Sequence, residues 1–466
     1  MNVMDSLSTA KSFPLWLENR NDKTDNRPRL NGNQSVDVAI VGGGFSGLWT
    51  AYYLLKHSPS TRVLVIEKNF CGYGASGRNG GWCKGSVAGG ANRYAALSSF
   101  DKVNKLQSAM FDAVDEIGFV AANERIACGF EKNGLVRVAR NRAQALRQIS
   151  EVRDANASGF TPEIIRLLDK DEASRMFNAT SIHSGIFFSP AAALNPFQLV
   201  KGLASSIERT GGKIVEQTEV LDIQDRRIMT PYGVVTADVI VQATEAYTRN
   251  FSGQKRDYLP NYSRMIATEP LSQKFLGELG LTERKAFSDD RYGVIYGLLT
   301  EDNRIAFGAR GTPTYLFGSK ITSEAENNIK SHALVYKALL DLLPQLKDVE
   351  VTHRWGGVLA IPRNWLPGLR FNKNSGLGVL GGYVGSGVAS SNLAGRTMAD
   401  LILGRETDRT YLPWVGIRSR RWEPEPFRSM GVMTSGSLLK MADSFETKTG
   451  RTSRVAKILA KAIRGS

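Results

Sequence analysis

The stretch that most constrains this chain runs from residue 36 to residue 81. An apolar run, Val36-Asp37-Val38-Ala39-Ile40-Val41, meets Gly42-Gly43-Gly44-Phe45-Ser46-Gly47, and the helix-like Leu48-Trp49-Thr50-Ala51-Tyr52-Tyr53-Leu54-Leu55 follows. A second apolar run, Val63-Leu64-Val65-Ile66, ends in Glu67, twenty residues after Gly47. Strand, glycine turn, helix, strand and acid in that order make the βαβ unit that binds a dinucleotide. Gly42 permits the tight turn, Gly44 lets the backbone approach a pyrophosphate, and Gly47 lets helix and strand pack closely. The pyrophosphate then meets a helix N-terminus, where unpaired N–H groups and the dipole favour an anion. Glu67 is placed to accept hydrogen bonds from both adenosine ribose hydroxyls. It also repels a 2′-phosphate, which argues against an NADP-type ligand.

A chain of 466 residues is long enough for two domains and a large core. Its 46 glycines suit a backbone that must approach a ligand in several places. No run of some 18 apolar residues predicts a membrane span. The first residues, with Asp5 and Lys11 and no apolar stretch, do not read as a secretory leader. Cys71, Cys83 and Cys128 are too few and too scattered for a disulfide framework or a metal site, and a reducing cytoplasm is the expected location. Of the net charge of +15, the stretch 416–466 holds +7, with eleven Lys/Arg against four Asp/Glu. No nucleic-acid module accompanies it, so no specific nucleic-acid partner is predicted.

Residues 1–35 read as a polar arm that docks Trp16 on the body. Beyond the fingerprint, Cys71-Gly72-Tyr73-Gly74-Ala75-Ser76-Gly77-Arg78-Asn79-Gly80-Gly81-Trp82 has too many small residues for core filling and reads as a loop laid along a flat ligand. Phe100, Val103, Leu106, Met110, Val114 and Ile117 recur at helical spacing. Residues 213–220 and 237–244 read as strands returning to the first sheet. Residues 251–354 read as antiparallel strands, with a hairpin around Glu301-Asp302-Asn303 and one long helix over 324–343 stopped by Pro344. A second strand, glycine turn and helix start follow at 376–403. The predicted domains are an arm (1–35), a discontinuous nucleotide domain (36–90, 190–250 and 355–415), a cap (91–189 and 251–354) and a basic C-terminal segment (416–466).

Five pieces carry a resemblance over nearly the whole chain: the 42–47 turn, Gly74-Ala75-Ser76-Gly77-Arg78-Asn79-Gly80-Gly81, the strand at 237–244, Gly382-Tyr383-Val384-Gly385-Ser386-Gly387-Val388, and Arg421-Trp422-Glu423-Pro424-Glu425-Pro426. Together they resemble FAD-dependent oxidoreductases of the D-amino-acid-oxidase-like superfamily, and within it γ-glutamylputrescine oxidase-type amine oxidoreductases. The resemblance implies an α/β fold in which a Rossmann-type FAD-binding domain is interleaved with an antiparallel β-sheet substrate domain (α+β). It implies that Gly42, Gly44, Ser46 and Gly47 hold the pyrophosphate, with Glu67 on the ribose and Val220 at the adenine, and that Phe45 and Lys68 also belong to the cofactor site. Ala75, Ser76, Arg78, Asn79, Gly80 and Gly81 would line the flavin, and Ala243, Thr244 and Gly382 would complete the cradle. Gly385, Ser386, Gly387 and Val388 would point N–H groups at the pyrimidine carbonyl, where positive dipoles stabilise an anionic reduced flavin.

Departures from the family pattern bear on chemistry. Gly81 stands where relatives tether flavin through histidine, and no cysteine follows Cys128, so FAD is expected to be non-covalent. Val358 and Leu359 stand where amino-acid oxidases place an arginine for the substrate carboxylate. Ile305, Ala306 and Phe307 stand where some oxidases place an oxygen-activating lysine. The implied reaction is oxidation of a C–N bond in a primary or secondary amine, a polyamine derivative or an N-alkyl amine. Hydride passes to flavin N5, and the imine hydrolyses to aldehyde and amine, with O2 or an electron carrier as acceptor.

No catalytic side chain is assigned. Trp82, Tyr296, Trp355 and Tyr383 read as pocket walls or as plain core. Lys84 reads as a solvated lysine or as one that orients substrate, and Arg310 as an anion partner or a surface pair. His353 and His183 read as core or catalytic histidines. Residues 453–464 form an amphipathic helix that docks on its own protein or makes weak contact with a membrane surface. Three rivals remain. An amino-acid oxidase or dehydrogenase keeps the flavin. A flavin hydroxylase is opposed by the lack of any Gly-Asp pair. A flavin-stabilised binding protein would use its basic tail on RNA or membrane.

Overall fold

The computed structural model describes residues 3–18, 20, 26–309 and 315–464. The first strand of the fingerprint, Gln34–Val41, sits mid-sheet because both its faces are apolar, as a strand covered on two sides must be. It pairs in parallel with Val63–Ile66 on one side and Gly233–Gln242 on the other. Lys213–Val215 extends the sheet past Val63–Ile66, and Leu377–Gly381 joins in parallel beyond Gly233–Gln242. The antiparallel strand Gly368–Asn372 closes that edge.

The helices Phe45–His57, Pro196–Arg209 and Gly387–Ile402 share one large core around this sheet. The helix Phe100–Asn123 packs into the same core through Val103, Leu106, Met110, Val114 and Ile117. The apolar spacing of residues 100–123 was therefore legible, but their placement with the cap (91–189) is corrected: that stripe matches the nucleotide core, while Phe100 itself is exposed.

A second sheet runs in the order Val351–Pro362, Tyr258–Thr268, Ile305–Ala309, Ile295–Leu299, Ala286–Asp289, Leu135–Ala139, Ser184–Phe188, Ile165–Leu168. All its pairings are antiparallel except Ala286–Asp289 with Leu135–Ala139. The strand Val351–Pro362 thus belongs to the cap sheet, although residues 355 onward were assigned to the nucleotide domain; eleven of its residues register against Tyr258–Thr268. The long helix expected over 324–343 is two pieces. Asn328 leaves helical geometry, its side chain accepts from Ser331 N–H at 3.0 Å, and Ile329–Leu342 starts afresh before Pro344.

The arm docks as expected: Trp16 is buried, and its Nε1–H donates to the Asn79 carbonyl at 2.7 Å. His353 lies in the cap core edge-on to Phe13, and His183 is exposed at a strand start. The helix Phe427–Thr449 was not foreseen, because its apolar residues do not form a single inward stripe.

Helices Phe45–His57 and Gly387–Ile402 approach closely at Gly395, where a β-carbon would lie 2.5 Å from Trp49 Cβ and 2.9 Å from the Thr50 backbone nitrogen. Gly395→Leu is expected to lower stability by about 1–3 kcal/mol through overpacking, read as a lower urea midpoint. Gly431→Ala, with open space around its β-carbon, should not lower it.

Candidate functional site

The strands Gln34–Val41, Val63–Ile66, Gly233–Gln242 and Leu377–Gly381 all end at one edge of the nucleotide sheet, and there Gly42, Glu67, Ala243 and Gly382 begin the turns. That is where a doubly wound sheet leaves a crevice. Gly42, at φ +112°, lies against Ala243; a β-carbon there would be 2.6 Å from the Ala243 carbonyl oxygen. Gly47 has the packing role expected of it rather than a lining one, since a β-carbon would meet the Gly42 oxygen at 2.0 Å.

Two cavities join along this edge. One, of about 370 Å³, is lined by Gly42, Gly44, Glu67, Lys68, Val220, Ala243 and Thr244, among others. The other, of about 480 Å³, reaches the cap and is lined by Arg78, Asn79, Gly80, Trp82, Lys84, Tyr296, Tyr383 and the turn Gly385, Ser386, Gly387, Val388. Phe45, Ser46, Ala75, Ser76 and Glu245 line both.

Two helix N-termini open on this trough. Gly44 and Ser386 are their N-caps, and neither supplies a side-chain cap; at the first, Phe45 N–H donates to Ser76 Oγ at 2.9 Å, so it is the following first-turn N–H groups that are placed for a ligand. The second turn is strained: Gly381, Gly382 and Gly385 have positive φ, and so does the β-branched Val384 at +52°. Such a run of left-handed residues gathers N–H groups into an anion-binding concavity. Backbone this close to open space, with Gly44 only 2.9 Å from Ser76 Oγ if it bore a β-carbon, fits an extended dinucleotide.

Some expected site residues sit behind the wall. Gly81 is not on the cavity surface: its N–H is taken by Asn79 Oδ1 at 2.8 Å, and a β-carbon would meet the Leu194 carbonyl oxygen at 2.5 Å. Gly382 gives its N–H to Glu245 Oε2 at 2.8 Å. Trp355 is buried beside Trp16, its Nε1–H donating to the Arg78 carbonyl at 2.9 Å, so it braces the flavin loop rather than walling the pocket. Arg310 lies outside the described residues.

The half-buried Glu67 carboxylate accepts Gly43 N–H at 2.8 Å and Asn69 N–H at 2.9 Å, and desolvation raises its pKa above the ordinary range. Burial likewise pushes Glu245 up to about 7 and draws Lys84 down to about 8. Arg78 is neutralised by Glu326 at 2.6 Å. Sequence reading missed Glu245, whose φ of +44° places it at the junction of the cavities; no local pattern marks such a residue. It missed the cap-side walls Ser263, Met265, Val294 and Trp365 for the same reason.

A trough across the carboxyl edge of a parallel sheet, closed by an antiparallel cap, defines a two-sheet dinucleotide-binding oxidoreductase fold. Residues 37–401 match the family described as FAD dependent oxidoreductase, and the chain belongs to that family. It is 28% identical over 416 residues to γ-glutamylputrescine oxidoreductase of Escherichia coli, covering 86% of this chain and 92% of the relative. It is 29% identical over 387 residues to the protein of Haemophilus influenzae named Probable oxidoreductase OrdL, covering 81% and 85%. In fold it matches the crystal structure of glycine oxidase from Geobacillus kaustophilus with a TM-score of 0.69 at 22% identity, covering 83% of this chain and all of the other. The chain is an FAD-dependent oxidoreductase for amine or amino-acid-like substrates.

An anion entering beside Glu245 favours the protonated carboxyl. FAD binding to apo-protein is therefore expected to take up a proton, and affinity should fall about tenfold per pH unit above pH 7. In flavin titrations Glu245→Gln should flatten that dependence.

Proposed function

We propose that this oxidoreductase cleaves the C–N bond of a primary or secondary amine, either a polyamine derivative or an N-alkyl amine. One observation carries the reading: the cavity beyond the flavin loop is walled by aromatic and aliphatic side chains, and Arg78, the arginine among its described lining residues, is already paired with Glu326. An α-carboxylate would meet apolar Leu359 where a guanidinium is wanted. The name of the Escherichia coli relative, which specifies a polyamine derivative, points the same way.

Bound FAD supplies the hydride acceptor for the carbon beside the substrate nitrogen. The protein's part is to favour the uncharged amine, whose lone pair assists hydride loss. Trp82 and Tyr296 meet edge to face at 5.7 Å. Their polar ends are engaged within the protein: Trp82 Nε1–H donates to the Gly297 carbonyl at 2.9 Å, and the Tyr296 hydroxyl pairs with Ser263 Oγ at 2.7 Å. What remains towards the cavity is apolar ring, which disfavours an ammonium ion. Lys84 adds to this while protonated, because a cation in the wall repels a second one. FAD is held non-covalently in this reading; no cysteine or histidine is among the described residues lining either cavity. The imine hydrolyses in water, and O2 or an electron carrier reoxidises the flavin.

A second reading, amino-acid oxidation, is favoured by one observation: protonated Lys84 could pair with a substrate carboxylate. An anaerobic flavin-reduction screen separates the two. Polyamines and N-alkyl amines are expected to bleach the yellow protein, and α-amino acids to do so at least tenfold more slowly; the reverse order would discard the amine reading. The rate constant for amines at limiting substrate should rise with pH through about 8 as Lys84 loses its charge. Lys84→Met should remove that inflection and leave only the one set by the substrate's own ionisation.

A further inference from the structure

We propose that the outer face of the helix Phe427–Thr449 docks on an anionic lipid bilayer and brings one rim of the substrate cavity to that surface. The proposal does not depend on which amine is oxidised.

The helix lies along the cavity rim. Val432 packs in a cluster with Ala88, Trp365 and Val384, all of which line the cavity. Further along, Asp443 accepts the N–H groups of Tyr292 and Gly293 at 2.7 and 2.9 Å, next to cavity-lining Val294. The inner side is thus anchored at two places beside residues that line the cavity.

The outer side is apolar where a solvated helix would be polar. Phe427, Met433 and Met441 are 66%, 71% and 67% exposed, and Met430 and Phe445 are exposed as well. Phe427, Met430, Met441 and Phe445 recur at helical spacing along one stripe. The following helix, Arg454–Arg464, buries Ala456 but leaves Val455 and Ile458 exposed. Clustered exposed side chains of this kind mark an interaction surface.

Charge identifies the occupant. Both acids of Phe427–Thr449 turn inward: Asp443 as above, and Glu446 onto Arg147 Nη1 at 2.6 Å, Tyr292 hydroxyl at 3.0 Å and Ser453 N–H at 3.0 Å. Lys440, Lys448, Arg451, Arg454 and Lys457 are exposed, and none forms an ion pair among the described residues. Large flexible apolar side chains flanked by unpaired cations suit acyl chains beneath anionic headgroups. A second copy of the chain would set these cations against each other. A nucleic acid would use the cations but leave the methionines and phenylalanines without a partner.

The test uses full-length FAD-loaded protein and vesicles of phosphatidylcholine with or without phosphatidylglycerol. Sedimentation is expected to show binding roughly tenfold or more tighter to the anionic vesicles, weakening as salt rises. Met430→Glu with Phe445→Glu should reduce that binding about tenfold, as should Lys440→Glu with Lys448→Glu, while both variants keep their flavin and bleach with amine like the parent. Equal binding to neutral and anionic vesicles, or no binding, overturns the proposal. So does a salt-sensitive complex with RNA in place of vesicles, or a solution dimer that Met430→Glu with Phe445→Glu separates into monomers.

Discussion

Three backbone segments come together at Gly42, and the rest of the site depends on that approach. The Gly42 α-carbon faces the Ala243 carbonyl, and Gly47 in the next helix faces the Gly42 carbonyl, at separations that leave no room for a β-carbon on either glycine. Strand Gln34–Val41 can therefore lie between Val63–Ile66 and Gly233–Gln242 with its helix drawn down onto it. Larger residues here would push the helix N-terminus away from the sheet edge, and with it the N–H groups that an anion needs. The cap inherits this geometry, because Trp16 and Trp355 both hold the flavin loop by its carbonyl groups at Asn79 and Arg78.

Two half-buried carboxylates hold the turns. Glu67 holds the Gly43 N–H and Glu245 the Gly382 N–H, so each glycine turn is fixed by an acid from a neighbouring strand end. Such hydrogen bonds offset part of the cost of burying a carboxylate, yet both groups still titrate above their ordinary range because burial is the larger effect. The chain thus sustains two costly acids beside the cavities along the sheet edge. Glu67 lines the cavity at the end of its own strand, and Glu245 can meet an anion without repulsion by keeping its proton.

Legibility in the sequence followed the range of the interactions. The fingerprint residues, the loop at 74–81 and the turn at 382–388 were readable because each acts through backbone shape within a few residues, and glycine spacing records backbone shape. Gly81 and Gly382 were readable as glycines but not as walls, since only the fold reveals that Asn79 and Glu245 take their N–H groups. Glu245, Met265 and Trp365 come to the cavity from different segments, and no spacing rule links them. The helix Phe100–Asn123 shows the intermediate case: its apolar stripe gives the helix, but a stripe matches any apolar surface, and the partner is the nucleotide core. The split at Asn328 was missed because the apolar period runs on across an N-cap.

The substrate side follows a different physical rule from the cofactor side. Along the sheet edge, Glu67, Ser76 and Thr244 bring polar groups to the cavity. Towards the cap, Trp82 and Tyr296 satisfy their polar ends within the protein. Lys84 is the exception, and its surroundings explain how it persists there. Arg137 engages both Glu151 and Asp290, so the acids nearest to Lys84 are already shared with a guanidinium. The half-buried lysine lines two cavities and forms no ion pair among the described residues, and the Phe188 ring lies 5.6 Å away. A cation held so loosely gives up its proton near pH 8 instead of above 10, which places its change of charge where amine substrates begin to lose theirs. Glu245 and Lys84 are therefore the two half-buried lining groups whose charge changes near neutral pH, one shared by both cavities and one on the cap side.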